Sequence, residues 1–167
     1  VKKGEITFYN LDGEEIEIEP KEINWDAEAA EKGGYEHFMI KEIHEQPKVV
    51  EDTINSVLTT DGKIDLSEVG LSEEEIKDIR QIHIVACGSA YHVGVATQYV
   101  MEDLARIPVR VELASEFRYR NPLLDEKDLV VLISQSGETA DTLAALRESK
   151  ARGVRTLAIV NVVGSSI

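Results

Sequence analysis

The sequence has 167 residues, 43% of them hydrophobic and 30% charged, which is typical of a folded domain with a smaller appendage and excludes a wholly disordered chain. It contains no apolar run of roughly 18 residues and no signal-peptide core, so we expect a cytoplasmic protein with no membrane partner. A single cysteine, Cys87, excludes an internal disulfide framework and a multi-cysteine metal cage, and we expect no metal site.

The net charge of −14 lies almost entirely in the first half of the chain. Residues 1–80 hold 9 basic and 22 acidic side chains, whereas residues 81–167 hold 9 and 10. No basic stripe is available to neutralise a nucleic-acid backbone, so nucleic acid is not an expected partner. We interpret the acidic half as a solvated face in preference to a cation or partner site.

The first predicted element is a β-hairpin. Apolar and polar residues alternate over residues 5–9 and 14–18, on either side of the turn Asn10-Leu-Asp-Gly13. An isolated hairpin is marginal in water, so residues 1–25 are interpreted as the end of a preceding domain. Asp26 follows as the predicted cap of a short connecting helix.

Residues 26–80 are predicted to form a helical linker. Apolar side chains spaced three, four and seven apart predict a helix over residues 36–58. Pro47 lies in the middle of this pattern, which predicts either a kink or two helices that meet there. Ser72 followed by Glu75 is a capping-box signature for a second, short helix.

After Arg80 the pattern changes to short apolar runs that alternate with longer amphipathic stretches, which predicts parallel strands flanked by helices. The four predicted strands cover residues 82–86, 109–113, 129–133 and 156–160. The second strand alternates apolar with polar residues while the others are largely apolar, so it is expected at an edge of the sheet. The predicted fold class is therefore α/β: a partial doubly wound parallel sheet of flavodoxin-like order 2-1-3-4, preceded by the hairpin and the helical linker.

Ligands bind such a sheet at the carboxyl ends of the strands where the order reverses, here strands 1 and 3. Strand 3 is followed by Ser134-Gln-Ser-Gly-Glu-Thr139, which we call the hydroxyl loop (residues 134–139). Free backbone N–H groups and the positive end of the following helix favour an anion there, and a phosphate fits best. Because a hydroxyl-rich turn is often only a helix cap, a scaffold without a ligand stays open as an alternative.

Strand 1 is followed by a second turn of small residues, Cys87-Gly-Ser-Ala90, within the predicted loop 87–91. This turn could receive the hydroxyls of whatever molecule carries the phosphate. Neither turn matches a nucleotide fingerprint or a nucleophile elbow. The sequence places no base beside Cys87, so a small packing or ligand-touching residue is favoured over a nucleophile.

Several separate stretches resemble one enzyme family in its own order. They are Lys32-Gly-Gly-Tyr-Glu-His-Phe-Met39, Lys41-Glu-Ile-His-Glu-Gln-Pro47, Cys87-Gly-Ser89, Glu112-Leu-Ala-Ser-Glu-Phe-Arg-Tyr-Arg120 and Ser134-Gln-Ser-Gly-Glu-Thr-Ala-Asp-Thr142. The last three resemble the sugar isomerase (SIS) domain of the glucosamine-6-phosphate synthases, the isomerizing glutamine:fructose-6-phosphate aminotransferases. The first two resemble the junction between the glutaminase and isomerase domains of that family.

The resemblance implies a parent enzyme that uses ammonia from glutamine to convert fructose 6-phosphate into glucosamine 6-phosphate, the first step of hexosamine synthesis, without a cofactor. It implies that the sugar phosphate is held on its phosphate side by Ser134, Gln135, Ser136 and Thr139, and lined on its sugar side by Cys87, Gly88 and Ser89. The family commonly has Cys-Gly-Thr-Ser where this chain has Cys-Gly-Ser-Ala. One expected hydroxyl is therefore missing at Ala90.

The resemblance also implies a fragment that is inactive alone and holds no catalytic residue. Residues 1–25 correspond to the end of the glutaminase domain, 26–80 to the linker and the start of the isomerase domain, and 81–167 to a truncated first SIS domain. A non-catalytic SIS module that senses a sugar phosphate stays as the alternative. We expect a homo-oligomer, because a truncated sheet has an apolar edge that invites pairing.

Overall fold

The computed structural model describes residues 6–17, 31–65 and 67–167. The chain divides into two compact units, Val1–Lys63 and Ile64–Ile167. The domain boundaries expected at residues 25 and 80 stay a prediction. The short helix predicted after Asp26 lies outside the described residues.

The first unit contains the hairpin, with strands shorter than predicted. β1 (Phe8–Tyr9) pairs antiparallel with β2 (Glu15–Ile16), and Gly13 takes a left-handed φ of 82° in the turn between them. α1 (Phe38–Asn55) is one helix with Pro47 inside it, so the two-helix alternative is wrong. Proline removes only the bond from its own nitrogen to the carbonyl four residues back, and the helix continues on either side of that missing bond.

The second unit is built on a four-stranded parallel sheet. Its strands are β3 (Gln81–Ala86), β4 (Val109–Leu113), β5 (Asp128–Ser134) and β6 (Arg155–Val160). They lie in the order β4-β3-β5-β6, which confirms the predicted order 2-1-3-4. β4 lies at an edge, as its alternating sequence predicts, whereas the central strands β3 and β5 are buried over most of their length.

Helical segments connect and cover these strands. In chain order they are the 3₁₀ helix Ser67–Val69, α2 (Glu73–Asp78), α3 (Gly88–Ala105), α4 (Ala114–Tyr119) and α5 (Ala140–Ala151). The predicted capping box is confirmed at α2: Glu75 N donates to Ser72 Oγ at 3.2 Å and Ser72 N donates to Glu75 Oε2 at 2.9 Å. The sequence pattern does not predict α4.

Strand side chains form an apolar layer on each face of the sheet. On one face, Val85 and Leu132 pack with Phe117 of α4 and Ala145 of α5. On the other face, α3 approaches β3 and β4 closely at Gly94, where a Cβ would lie 2.8 Å from Ile84 Cγ2 and 2.9 Å from Val111 Cγ1. Within the described ranges, no helix has the length and apolarity needed to cross a membrane.

Candidate functional site

The parallel register of β3 and β5 places the two predicted turns side by side. Ala86 pairs with Ile133, so the turn after β3 and the hydroxyl loop begin at the same edge of the sheet. A cavity of about 210 Å³ opens between them. Its lining consists of Cys87, Ser89, Ala90, Ile133, Ser134, Gln135, Ser136 and Thr139. The structure therefore brings together six of the seven predicted site residues around one cavity.

Gly88 is the predicted site residue that the cavity lining does not include. It is exposed, has a left-handed φ of 54°, and is the first residue of α3. Most of the loop expected over residues 87–91 is thus the first turn of a helix. Glycine suits this position because its backbone adopts positive φ at no steric cost.

The hydroxyl loop is held in shape by its own hydroxyl groups. Ser134 Oγ and Thr139 Oγ1 lie 3.1 Å apart and share a hydrogen bond. Gly137 N donates to Ser134 Oγ at 3.1 Å, and Glu138 N donates to Ser136 Oγ at 3.2 Å. Ser134 is buried, whereas Ser136 and Thr139 are half-buried. These hydrogen bonds hold the loop backbone in one conformation, and all three hydroxyl side chains line the cavity.

The amino-terminal end of α5 adjoins this loop. Thr139 is the N-cap residue, and in the described part of the chain its side chain makes no capping hydrogen bond to the helix. The first helical bond runs from Leu143 N to Thr139 O, at 2.9 Å. The backbone N–H groups of the first turn therefore lack a side-chain cap, and the positive end of the helix dipole favours an anion there.

An ion pair offsets the carboxylate in that same turn of α5. Asp141 would repel an anion bound at the helix end, but Arg118 Nη1 on α4 lies 2.7 Å from Asp141 Oδ1. The hydrogen bond with Asp141 raises the pKa of Arg118 above its usual range. This role of Arg118 is not predictable from the sequence, because Arg118 and Asp141 lie on different helices and no spacing pattern joins them.

Cys87 lies against the core instead of beside a base. It is half-buried and packs on the apolar layer that includes Phe117, and Thr142 Oγ1 lies 4.0 Å from its Sγ. The lining residues, all of them described, include no carboxylate, histidine or lysine. The cavity thus offers hydroxyls, an amide and a thiol for binding.

Comparison with known proteins identifies relatives over nearly the whole chain. Residues 75–167 match the family model described as SIS domain. The isomerizing glutamine–fructose-6-phosphate aminotransferase of Clostridium acetobutylicum is 56% identical over 162 residues, which are 97% of this chain and 27% of that protein. Its counterpart from Caldanaerobacter subterraneus subsp. tengcongensis is 54% identical over 167 residues, 100% of this chain and 28% of that protein.

A solved structure shares the fold. The C-terminal domain of glucosamine-fructose-6-phosphate aminotransferase from Francisella tularensis superposes with a TM-score of 0.72 at 45% identity, covering 81% of this chain and 38% of that one. The chain spans about a quarter of the length of the curated relatives it matches.

Proposed function

The chain belongs to the SIS domain family, and on that premise we propose that it is the sugar-phosphate-binding part of an isomerizing glutamine–fructose-6-phosphate aminotransferase. In this proposal the parent enzyme uses ammonia from glutamine to convert fructose 6-phosphate into glucosamine 6-phosphate. Support comes from the two relatives of that name, at 56% and 54% identity over 97% and 100% of the chain.

The observation that carries the proposal is the cavity at the carboxyl ends of β3 and β5, whose lining includes four hydroxyl side chains. Its volume of about 210 Å³ lies below the roughly 300 Å³ at which sites for drug-sized ligands begin. A phosphate group with part of a sugar suits this size. The cavity adjoins the uncapped end of α5, where hydroxyls and backbone N–H groups can bind phosphate oxygens together.

The two turns take different parts of the ligand in this proposal. Ser134, Gln135, Ser136 and Thr139 hold the phosphate of fructose 6-phosphate or glucosamine 6-phosphate. Cys87 and Ser89 line the sugar side, and Gly88, which lies outside the cavity lining, contributes through its backbone. The ion pair of Arg118 with Asp141 supports phosphate binding by offsetting a nearby negative charge.

We propose that the 167-residue chain binds the sugar phosphate without completing the reaction, because the cavity lining has no carboxylate, histidine or lysine to move a proton. The proposed function requires neither a cofactor nor a metal. The described residues contain no cluster of three histidine, cysteine or acidic side chains that could hold a metal ion.

The same lining fits the alternative of a non-catalytic module that senses a sugar phosphate. Similarity to the aminotransferases extends well beyond the SIS match at residues 75–167 and includes the hairpin and α1. A sensor would have no need of that first unit. This extent of similarity favours the part of an enzyme over the sensor.

Self-association and a cytoplasmic location complete the proposal. The two outer strands of the described sheet are β4 and β6. Ile159 on β6 is 55% exposed. An apolar outer strand is a template for pairing with another chain, which supports a homo-oligomer.

The proposed cytoplasmic location is supported by Cys87, which is a free thiol, because the cytoplasm keeps thiols reduced.

Titration of the 167-residue chain with fructose 6-phosphate, followed by amide NMR shifts, tests the binding proposal. We expect the largest shifts at residues 134–139. Ser136→Ala should weaken binding about ten- to over a hundredfold, because a hydrogen bond to a charged group contributes roughly 1.5 to 3 kcal/mol. Ser56→Ala, in the first unit, serves as the matched control. Unchanged shifts at residues 134–139 would contradict the assignment.

A further inference from the structure

The segment that follows β6 lies across the hydroxyl loop. We call residues 161–167 the strap. Asn161 N donates to Gln135 O at 3.2 Å, and Ile167 N donates to Gly137 O at 3.2 Å. Two backbone hydrogen bonds, one near each end of the strap, therefore join it to the loop.

Gly137 of the hydroxyl loop lies directly beside the strap. It is buried although it lies in a loop, and its φ is 68°. A Cβ built at this position would overlap the side chain of Ser165, and the Val160 side chain lies 3.6 Å from it. The strap thus fills the space beside the loop backbone and restricts where that backbone can lie.

Glu138 adds a side-chain contact to the strap. Ser166 N donates to Glu138 Oε1 at 2.7 Å, across 28 residues of sequence. Glu138 carries a negative charge within the loop that is proposed to hold a phosphate. Its contact with Ser166 orders the loop and fixes the position of that charge.

We propose that the strap is a positioning element for the sugar-phosphate site and that Glu138 is its positioning residue. The inference rests on the proposed function. Ordering a loop on binding costs conformational entropy, so a loop that is already ordered binds its ligand more tightly. The strap supplies this order through Gly137 and Glu138, neither of which lines the cavity.

The affinity of the full 167-residue chain for fructose 6-phosphate tests the inference. Glu138→Ala removes the acceptor for Ser166 N, and we expect affinity to fall roughly tenfold. Glu138→Gln keeps a side-chain oxygen as acceptor and should restore most of the affinity. Glu126→Ala, an exposed acidic residue of the same unit outside the cavity lining, is the matched control. Melting temperatures measured in parallel should be nearly equal among these variants.

Two measurements separate failure of the inference from failure of the proposed function. If the unmodified chain binds fructose 6-phosphate and Glu138→Ala binds it equally well, the positioning role is overturned. If the unmodified chain does not bind, the proposed function fails and amide hydrogen exchange decides the role of the strap. Faster exchange at residues 134–139 in Glu138→Ala supports strap control of the loop, and unchanged exchange overturns it.

Discussion

His83 Nδ1 lies 3.3 Å from Glu112 Oε1, and this contact joins the central strand β3 to the edge strand β4. His83 is fully buried, with its Nε2 3.5 Å from Asp128 Oδ2. Arg120 donates to both oxygens of Glu112. Burial alone would raise the pKa of Glu112, but the hydrogen bonds with His83 and Arg120 outweigh burial and hold that pKa below its usual 4.5.

The lowered pKa of Glu112 predicts that the folded state loses stability in acid. A carboxyl with a lowered pKa in the folded state stabilises the fold above its unfolded pKa, and this contribution is lost as the pH falls through the folded value. We expect Glu112→Gln to lower the free energy of unfolding by roughly 1.5 to 3 kcal/mol at neutral pH. Its unfolding free energy should also depend less on pH than that of the unmodified chain below pH 4.5.

Urea unfolding at a series of pH values measures both effects of Glu112→Gln. Glu116→Gln, at an exposed position on α4, is the control and should follow the unmodified chain. The same acid dependence in Glu112→Gln and in the unmodified chain would contradict the prediction.

Gly94→Ala should destabilise the second unit. The new methyl group would lie 2.8 Å from Ile84 Cγ2 and 2.9 Å from Val111 Cγ1, so α3 must shift away from the sheet. Overpacking of this kind costs roughly 1 to 3 kcal/mol. Val95→Ala, at the exposed neighbouring position, should cost much less in the same urea unfolding experiment. Equal stability of the two variants would show that α3 can move at little cost.

Ala90→Ser should strengthen sugar-phosphate binding. Ala90 lines the cavity, and a hydroxyl there would face the proposed phosphate position from the opposite turn. We expect roughly tenfold tighter binding of fructose 6-phosphate, from one hydrogen bond to a charged group. Isothermal titration calorimetry measures the change, with Ala96→Ser on the exposed part of α3 as control. Weaker or unchanged affinity would show that residue 90 does not contact the ligand.

Ile159→Lys should oppose self-association through the outer strand β6. Ile159 is 55% exposed, and a lysine on an outer strand disfavours pairing with a second chain. Light scattering over a dilution series should show association of the unmodified chain and a shift towards monomer in the variant. Val100→Lys, at a 57% exposed position on α3, tests whether any added charge has the same effect. An unmodified chain that stays monomeric at every concentration would rule out this model.

The sequence predicts the sheet well because its signals are local. Largely apolar runs identify the buried strands β3 and β5, and the alternation in Val109–Leu113 places that strand at an edge. The capping box of Ser72 and Glu75 is likewise set by four consecutive residues. The cavity follows from the strand order, since parallel strands bring their carboxyl ends to one edge.

The missed features depend on contacts between distant residues or on very short elements. α4 has only six residues and begins directly after β4, so its periodicity is too brief to detect, although Phe117 on it is fully buried. The strap contacts the hydroxyl loop largely through backbone groups, and because every residue has these groups, the contacts cannot be predicted from residue type. Glu138 and Ser166 are paired only by the fold.

The sheet can assemble in the order in which its strands are synthesised. β3 is the first of these four strands to leave the ribosome and becomes a central strand, β4 and then β5 pair with β3, and β6 pairs with β5. Every strand after β3 therefore meets a partner strand that has already been made. Exposed strand edges promote aggregation during folding, so this sequence of pairing shortens the period in which a nascent chain is vulnerable.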